Sequence, residues 1–192
     1  MSYQVKLGIS ARHLHVSQEH LEILFGEGAV LHPMKDLGQP GQFACEERVD
    51  LVTEKGAIKN VRILGPVRKA TQIELAIADA RKIGLNPPVR DSGDTAGTPG
   101  LTVVGPKGQV TLKEGVILAA RHIHLDLPTA EAWGVKDMEK VNVRIGGARG
   151  VVFNNVLIRA NAAYAPEMHI DTDEGNACMA NNDDMVEVII EK

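Results

Sequence analysis

The chain has 192 residues, and its 44% of hydrophobic and 24% of charged residues are typical of a folded globular protein. Its net charge of −4 argues against a nucleic-acid partner or an anionic membrane surface, because both attract basic proteins. Two cysteines, no signal peptide and no apolar run of membrane-spanning length together predict a cytoplasmic protein without a disulfide framework.

Most of the predicted elements are short strands. The chain opens with a strand that carries a His-x-His motif, followed by a short helix over 18–25 for which Ser17 is a suitable N-cap. After an irregular stretch, Val- and Ile-rich segments with partial alternation predict strands at 49–53, 59–64, 100–104, 109–112, 140–145 and 185–190. Turn signals separate these strands, and Asn86–Pro99 is predicted to be a loop. This spacing indicates small β-barrels or a sandwich.

The first motif recurs later in the chain. Ser10-Ala-Arg-His-Leu-His15 reappears 109 residues on as Ala119-Ala-Arg-His-Ile-His124, again before a predicted helix, here with Asp126 as the N-cap. A second block, Asn60-Val-Arg-Ile-Leu-Gly65, resembles Asn155-Val-Leu-Ile-Arg-Ala160. We therefore infer an internal duplication, with an insertion or deletion between the repeated blocks.

The histidine pairs are candidate metal ligands. In a strand, residues i and i+2 point to the same face, so each pair presents two imidazoles side by side, as zinc prefers. The offset of the second block places His169 opposite Glu74, which supplies a third ligand to each pair. We expect two three-ligand sites, each with an open coordination position as in catalytic zinc centres: His13, His15 and Glu74, and His122, His124 and His169.

Other side chains leave alternatives open. One isolated His-x-His pair is more often a packing feature, and Glu74 alone could be a solvated carboxylate; the duplication favours metal binding. Arg68 could grip a phosphate near the metal, with a surface arginine as an equal alternative. Arg12 and Arg121 are expected to form structural ion pairs. Cys178 is interpreted as a small buried residue rather than a nucleophile.

Five segments together resemble the PduL-type phosphate propanoyltransferases: Gly8–His15, Gly65–Arg68, Gln72–Glu74, Ala119–His124 and Glu167–Ala177. The resemblance covers essentially residues 5–190, and the doubled His-x-His motif makes it specific. It implies a mainly β fold of two small β-barrels from a duplicated unit, with short helices and a dinuclear zinc site between the barrels. One barrel would comprise 1–11 and 120–192, the other 12–25 and 47–119, with 26–46 as an irregular or short two-stranded insertion.

The resemblance also implies roles for residues. The two triads would bind two zinc ions per chain, Arg68 would be the catalytic contact to phosphate, and coenzyme A would contact Gly8, Ile9, Ser10 and Asn176. The implied reaction converts a short-chain acyl-CoA and phosphate to acyl phosphate and CoA, reversibly. We expect small-molecule substrates, no nucleic-acid or membrane partner, and an oligomeric state that the sequence leaves open. Family members packaged into microcompartments often carry an N-terminal extension, which this chain lacks, so a free cytoplasmic form is expected.

Two other functions fit the same residues. A dinuclear zinc hydrolase of a phosphoester or thioester would use metal-bound hydroxide in place of phosphate. A metal-binding scaffold would have no turnover at all. Dependence of acyl-CoA consumption on added phosphate separates the transferase from the hydrolase. A scaffold would instead survive substitution of its metal ligands with unchanged partners and no turnover.

Overall fold

The computed structural model describes residues 3–190, which form two compact units. The barrel unit comprises residues 3–10, Gly38–Pro40 and residues 120–190; the sheet unit comprises Ala11–Leu37 and Gly41–Ala119. Within the described range there are fifteen strands and four short helices, so the predicted mainly β fold is confirmed. No helix within that range has the length and apolarity needed to cross a membrane.

The elements follow one another in a fixed order. The strands are β1 (Tyr3–Ser10), β2 (His13–His15), β3 (Pro33–Asp36), β4 (Phe43–Thr53), β5 (Gly56–Gly65), β6 (Gln72–Glu74), β7 (Val89–Arg90), β8 (Thr102–Val104), β9 (Gln109–Thr111), β10 (Val116–Ala119), β11 (His122–Leu125), β12 (Lys140–Ile145), β13 (Val151–Ala160), β14 (Glu167–Asp171) and β15 (Met185–Ile189). The helices are α1 (Gln18–Phe25), α2 (Ile77–Lys82), α3 (Leu127–Trp133) and α4 (Thr172–Cys178).

The barrel unit is closed by six strands in the order β1-β14-β11-β13-β12-β15. Although β1 opens the chain, it pairs in parallel with β14 and antiparallel with β15. Alternate residues point inward, as the period of two along a strand requires: Val5 and Leu7 of β1 and Val186 and Val188 of β15 are all buried. The barrel interior is therefore an aliphatic core.

The sheet unit contains nine strands in the order β7-β10-β6-β2-β5-β4-β8-β9, with β3 paired to β4. Its centre repeats the pairing of the barrel unit. Strand β2 is parallel to β5 and antiparallel to β6, as β11 is parallel to β13 and antiparallel to β14. Asn60 and Asn155, at the start of the second repeated block, share a left-handed backbone with φ of 57° and 58°. The arrangement fits two related barrel units, of which one is closed.

In each repeat, the strand before the His-x-His motif pairs in a different unit from the motif itself. Strand β10 directly precedes β11 in the chain but pairs in parallel with β6 of the sheet unit. Strand β1 likewise precedes β2 but pairs in parallel with β14 of the barrel unit. Each His-x-His strand therefore follows a strand that belongs to the other unit.

Some elements differ from the sequence-based expectations. The predicted caps of two helices are confirmed: Ser17 accepts from the His20 N–H, and Asp126 accepts from the Thr129 N–H. Strand β4 begins six residues before the predicted strand, where polar residues interrupt the apolar alternation. All four residues of β3 are exposed, so this strand has no hydrophobic pattern to detect. Helices α2 and α4 were not expected.

Helix α4 begins with a capping box. The Glu174 N–H donates to Asp171 Oδ1 at 2.8 Å, and the Asp171 N–H donates to Glu174 Oε2 at 3.1 Å. We expect Asp171→Ala to lower the free energy of unfolding by about 1 kcal/mol, because a free helix N–H loses its acceptor. Asp171→Asn should retain most of the stability, since its amide oxygen still accepts. Urea denaturation measures both; equal losses would show that the cap is not the cause.

Candidate metal centres

The first triad lies in the centre of the sheet unit. His13 and His15 on β2 are 7% and 3% exposed, and Glu74 lies directly opposite His13 on the antiparallel strand β6. Because paired residues of adjacent strands share a face, the carboxylate meets both rings. Glu74 Oε2 is 3.5 Å from His13 Nε2, and Oε1 is 3.9 Å from His15 Nε2. The three ligand atoms lie within 4.8 Å of one another.

Backbone carbonyls fix the tautomers of both rings. His13 Nδ1 is 2.8 Å from Ala11 O, and His15 Nδ1 is 3.2 Å from Leu64 O. A carbonyl oxygen only accepts, so each Nδ1 carries a hydrogen, and Nε2 is the ring nitrogen that faces Glu74. Two imidazole nitrogens and a carboxylate that converge in this way are a candidate ligand set for a divalent cation.

The charges of this triad suit a cation as well. Burial, together with the charges of His13 and Arg68, lowers the pKa of His15 to about 3. Burial alone would raise the pKa of Glu74, but electrostatic interaction with His13 and His15, a hydrogen bond from Ser92 and the charge of Arg68 hold that pKa at about 2. At neutral pH His15 is therefore neutral and Glu74 is ionised, which are the states that bind a metal ion.

The second triad repeats this geometry in the barrel unit. His122 and His124 lie on β11, and His169 on β14 is directly opposite His122. The Nε2 atoms of His122 and His124 are 3.0 Å apart, and the ring of His169 lies 5.2 Å and 5.0 Å from theirs. His122 Nδ1 is 2.8 Å from Ala120 O, as His13 Nδ1 is from the carbonyl of the equivalent alanine. Here too the ligand atoms lie within 4.8 Å of one another.

The rings of the second triad differ in how they are anchored. His124 Nδ1 is buried and has no hydrogen-bond partner among the described residues. The equivalent atom of the first triad, His15 Nδ1, contacts the carbonyl oxygen of Leu64. Burial, with the charges of His122, His169 and Arg159, lowers the pKa of His124 to about 2, so the ring stays neutral. Three imidazoles, and two imidazoles with one carboxylate, are both common ligand sets for zinc.

Arg68 lies beside the first triad. Its Nη1 donates to Ser92 Oγ at 3.0 Å, and the Ser92 hydroxyl donates to Glu74 Oε1 at 3.1 Å. The Arg68 N–H also donates to Val16 O at 2.9 Å, which ties this segment to the end of β2. The guanidinium is thus held one hydroxyl group away from a ligand. Sequence reasoning missed Ser92, which lies in the predicted loop and has no local signal.

The four residues expected to contact coenzyme A lie around β1 and α4. Gly8 is paired with His169, and a Cβ added to Gly8 would lie 2.9 Å from the His169 ring. The Ile9 N–H donates to Asn182 Oδ1 at 2.7 Å, and Ser10 ends the strand. Asn176 is exposed on α4, which packs against β1. All four residues lie in the barrel unit, and Gly8 is the one that is paired with a member of the second triad.

The remaining singled-out residues have structural roles. Arg12 pairs with Asp79 at 3.3 Å, and Arg121 pairs with Glu174 at 2.7 Å, which confirms the predicted ion pairs. Cys178 is 3% exposed, with its thiol against the backbone of α4, so its interpretation as a small buried residue is confirmed.

Comparison with known proteins identifies the family. The family model described as phosphate propanoyltransferase matches residues 6–181. A phosphate propanoyltransferase of Thermotoga maritima is 52% identical over 184 residues, which cover 95% of this chain and 88% of that protein. A phosphate propanoyltransferase of Rhodopseudomonas palustris is 48% identical over 97% of this chain and 82% of that protein. One of Lachnoclostridium phytofermentans is 51% identical over 91% of this chain and 82% of that protein. The chain therefore belongs to the phosphate propanoyltransferase family.

Proposed function

We propose that this chain is a phosphate acyltransferase that converts a short-chain acyl-CoA and phosphate to acyl phosphate and CoA, reversibly, with two zinc ions, one held by each triad. The observation that carries the proposal is the pair of repeat-related triads, with Arg68 beside one of them. Membership of the phosphate propanoyltransferase family supports acyl transfer to phosphate. The donor sets support zinc, since imidazole and carboxylate are its usual ligands.

In this proposal Arg68 orients the phosphate. Phosphate is already anionic at neutral pH, so it needs positioning more than deprotonation. A guanidinium presents a planar fork of N–H donors that matches phosphate oxygens, and Ser92 fixes its direction at 3.0 Å. Bound zinc supplies a Lewis acid that polarises the thioester carbonyl or stabilises the leaving thiolate.

Acyl transfer is direct in this scheme. A phosphate oxygen forms the new bond to the thioester carbonyl carbon, and the carbon–sulfur bond breaks to release the CoA thiolate. Neither cysteine is placed to act as a nucleophile, because both are buried. Burial also raises the pKa of the Cys45 thiol to about 11, which keeps it protonated.

Binding of coenzyme A is proposed for Gly8, Ile9, Ser10 and Asn176. The support is their position in the barrel unit, where Gly8 pairs with the ligand His169. Because Gly8 has no side chain, the edge of the imidazole stays uncovered on that side.

We expect release of CoA from propanoyl-CoA to depend on phosphate and to saturate with it, because phosphate is the acyl acceptor. The measurement is a thiol assay across a phosphate titration, with acetyl- and butanoyl-CoA as further donors. Acyl phosphate should accumulate in step with CoA, and acyl phosphate with CoA should run the reaction backward. Release of CoA at an undiminished rate without phosphate would indicate a zinc hydrolase instead. No turnover by protein that retains its metal would favour a scaffold.

A further inference from the structure

Two repeat-equivalent residues contact the third ligand of each triad. Gln72 precedes Glu74 by two positions, and Glu167 precedes His169 by two, so both members of each pair lie on the same face of their strand. Gln72 Nε2 donates to Glu74 Oε1 at 2.6 Å. Glu167 Oε2 lies 2.9 Å from His169 Nε2. At this repeated position, Gln72 is a hydrogen-bond donor next to the carboxylate of Glu74. Glu167 is an acceptor next to the imidazole of His169.

The orientation of the Gln72 amide is fixed. Its Oε1 accepts from the Gly93 N–H at 2.6 Å, and a backbone N–H can only donate. Nε2 must then face the other way, where it donates to Glu74 and, at 2.8 Å, to Ser92 Oγ. The side chain is 3% exposed, so water does not compete for these bonds.

The carboxylate of Glu167 is held just as firmly, through Gln39. The Ala165 N–H donates to Gln39 Oε1 at 3.3 Å, and Gln39 Nε2 donates to Ala165 O at 3.0 Å. These two bonds fix the amide, and its Nε2 also donates to Glu167 Oε2 at 3.0 Å. A Cβ added to Gly38 would lie 2.2 Å from the same oxygen, so the carboxylate packs directly on the Gly38 backbone.

We propose that Gln72 and Glu167 are matched positioning residues, one for each triad. Gln72 orients the Glu74 carboxylate by donating to it, and Glu167 orients the His169 imidazole by accepting its Nε2–H. His169 then offers Nδ1 to the metal ion, in contrast to His13, His15 and His122, whose Nδ1 atoms face backbone carbonyls. A carboxylate behind a ligating imidazole fixes its tautomer and increases its basicity. The inference rests on the proposed metal triads.

The first test measures zinc affinity. We expect Glu167→Gln to weaken the binding of one of two zinc ions by about tenfold, as is usual for loss of such a supporting group. Competition with a chromophoric chelator resolves the two ions. Glu131→Gln, the same change at an exposed site on α3, should leave both affinities unchanged. Fewer than two zinc ions in the wild-type protein would overturn the triads themselves. Two wild-type ions with equal affinities in both variants would overturn only the positioning role.

The second test reads the tautomer. In zinc-loaded protein with ¹⁵N-labelled histidine, nuclear magnetic resonance should place the His169 proton on Nε2 and the His13, His15 and His122 protons on Nδ1. A His169 proton on Nδ1 would contradict the proposal. This readout does not depend on activity, and a residue that only stabilises the fold would not determine it.

A third variant leaves both Glu167 and His169 intact. Gly38→Ala places a methyl group where the carboxylate now lies, and Gly38 does not have the left-handed backbone that would make alanine strained. We expect the same ion to be weakened as in Glu167→Gln, with the His169 Nε2–H resonance shifted. Unchanged zinc affinity and an unchanged resonance would count against the role of Glu167.

Discussion

His122→Ala is expected to remove one of two zinc ions from each chain and to abolish turnover. The Nε2 atom of His122 lies 3.0 Å from that of His124, and the ring of His169 completes the triad. Two remaining ligands are too few to hold zinc firmly. Loss of the Lewis acid removes several kcal/mol of transition-state stabilisation, so the rate should fall by about a thousandfold or more. Elemental analysis gives the metal content, and the phosphate-dependent assay gives kcat/KM.

A histidine outside the triads provides the control for this substitution. His32 is exposed and pairs with Glu47 at 2.6 Å, so His32→Ala should keep both ions and normal turnover. The repeat leads to a second prediction, because His13 on β2 occupies the position equivalent to His122 on β11. His13→Ala should also lose one ion, and the ion lost should be the other one. If His122→Ala retained two ions and full activity, the second triad would not be a metal centre.

Arg68→Ala is expected to lower kcat/KM for phosphate by about tenfold to a few hundredfold, with zinc content intact. The substitution removes charge-assisted hydrogen bonds to phosphate worth about 1.5–3 kcal/mol. This loss converts directly into a ratio of kcat/KM values. Zinc should stay, because Arg68 is not one of the three candidate ligands and is joined to Glu74 through the Ser92 hydroxyl. A phosphate titration with metal analysis of the same samples makes the measurement.

Two further variants separate charge from geometry at this position. Arg68→Lys keeps the charge but not the two-pronged fork, and should recover only part of the loss. Arg81→Ala removes an exposed arginine from α2 of the same unit and should be neutral. Normal turnover of Arg68→Ala would make Arg68 a surface residue. Loss of zinc as complete as in His13→Ala would instead make its role structural.

Local patterns in the sequence predicted the parts of the fold that depend on neighbouring residues. The His-x-His pairs and their third partners could be inferred because a period of two and an internal repeat are visible without a structure. The caps at Ser17 and Asp126 were visible for the same reason. Helix α4 also had a signal, since Asp171 and Glu174 show the spacing of a capping box, and the sequence reading overlooked it.

Other features depend on contacts between distant parts of the chain. Gln39 reaches Glu167 from 128 residues away, and Ser92 joins Arg68 to Glu74 across a turn of no regular pattern. Strand β3 is exposed along its whole length, so alternation could not reveal it. Hydrophobic periodicity in a sequence indicates which residues are buried. It therefore reveals neither polar contacts between distant residues nor a strand whose residues are all exposed.

The pairing of β1 with strands from the other end of the described chain has a consequence for folding. Tyr3 of β1 pairs with Val188 of β15, so the barrel closes only when two strands far apart in the chain have met. Cutting the chain between Ala119 and Ala120 would separate β1 from the other five strands of the barrel unit. Closure of the barrel therefore depends on contacts of long sequence separation, which are slow to form. The sheet unit differs in this respect, because its strands β2–β10 all lie within residues 11–119.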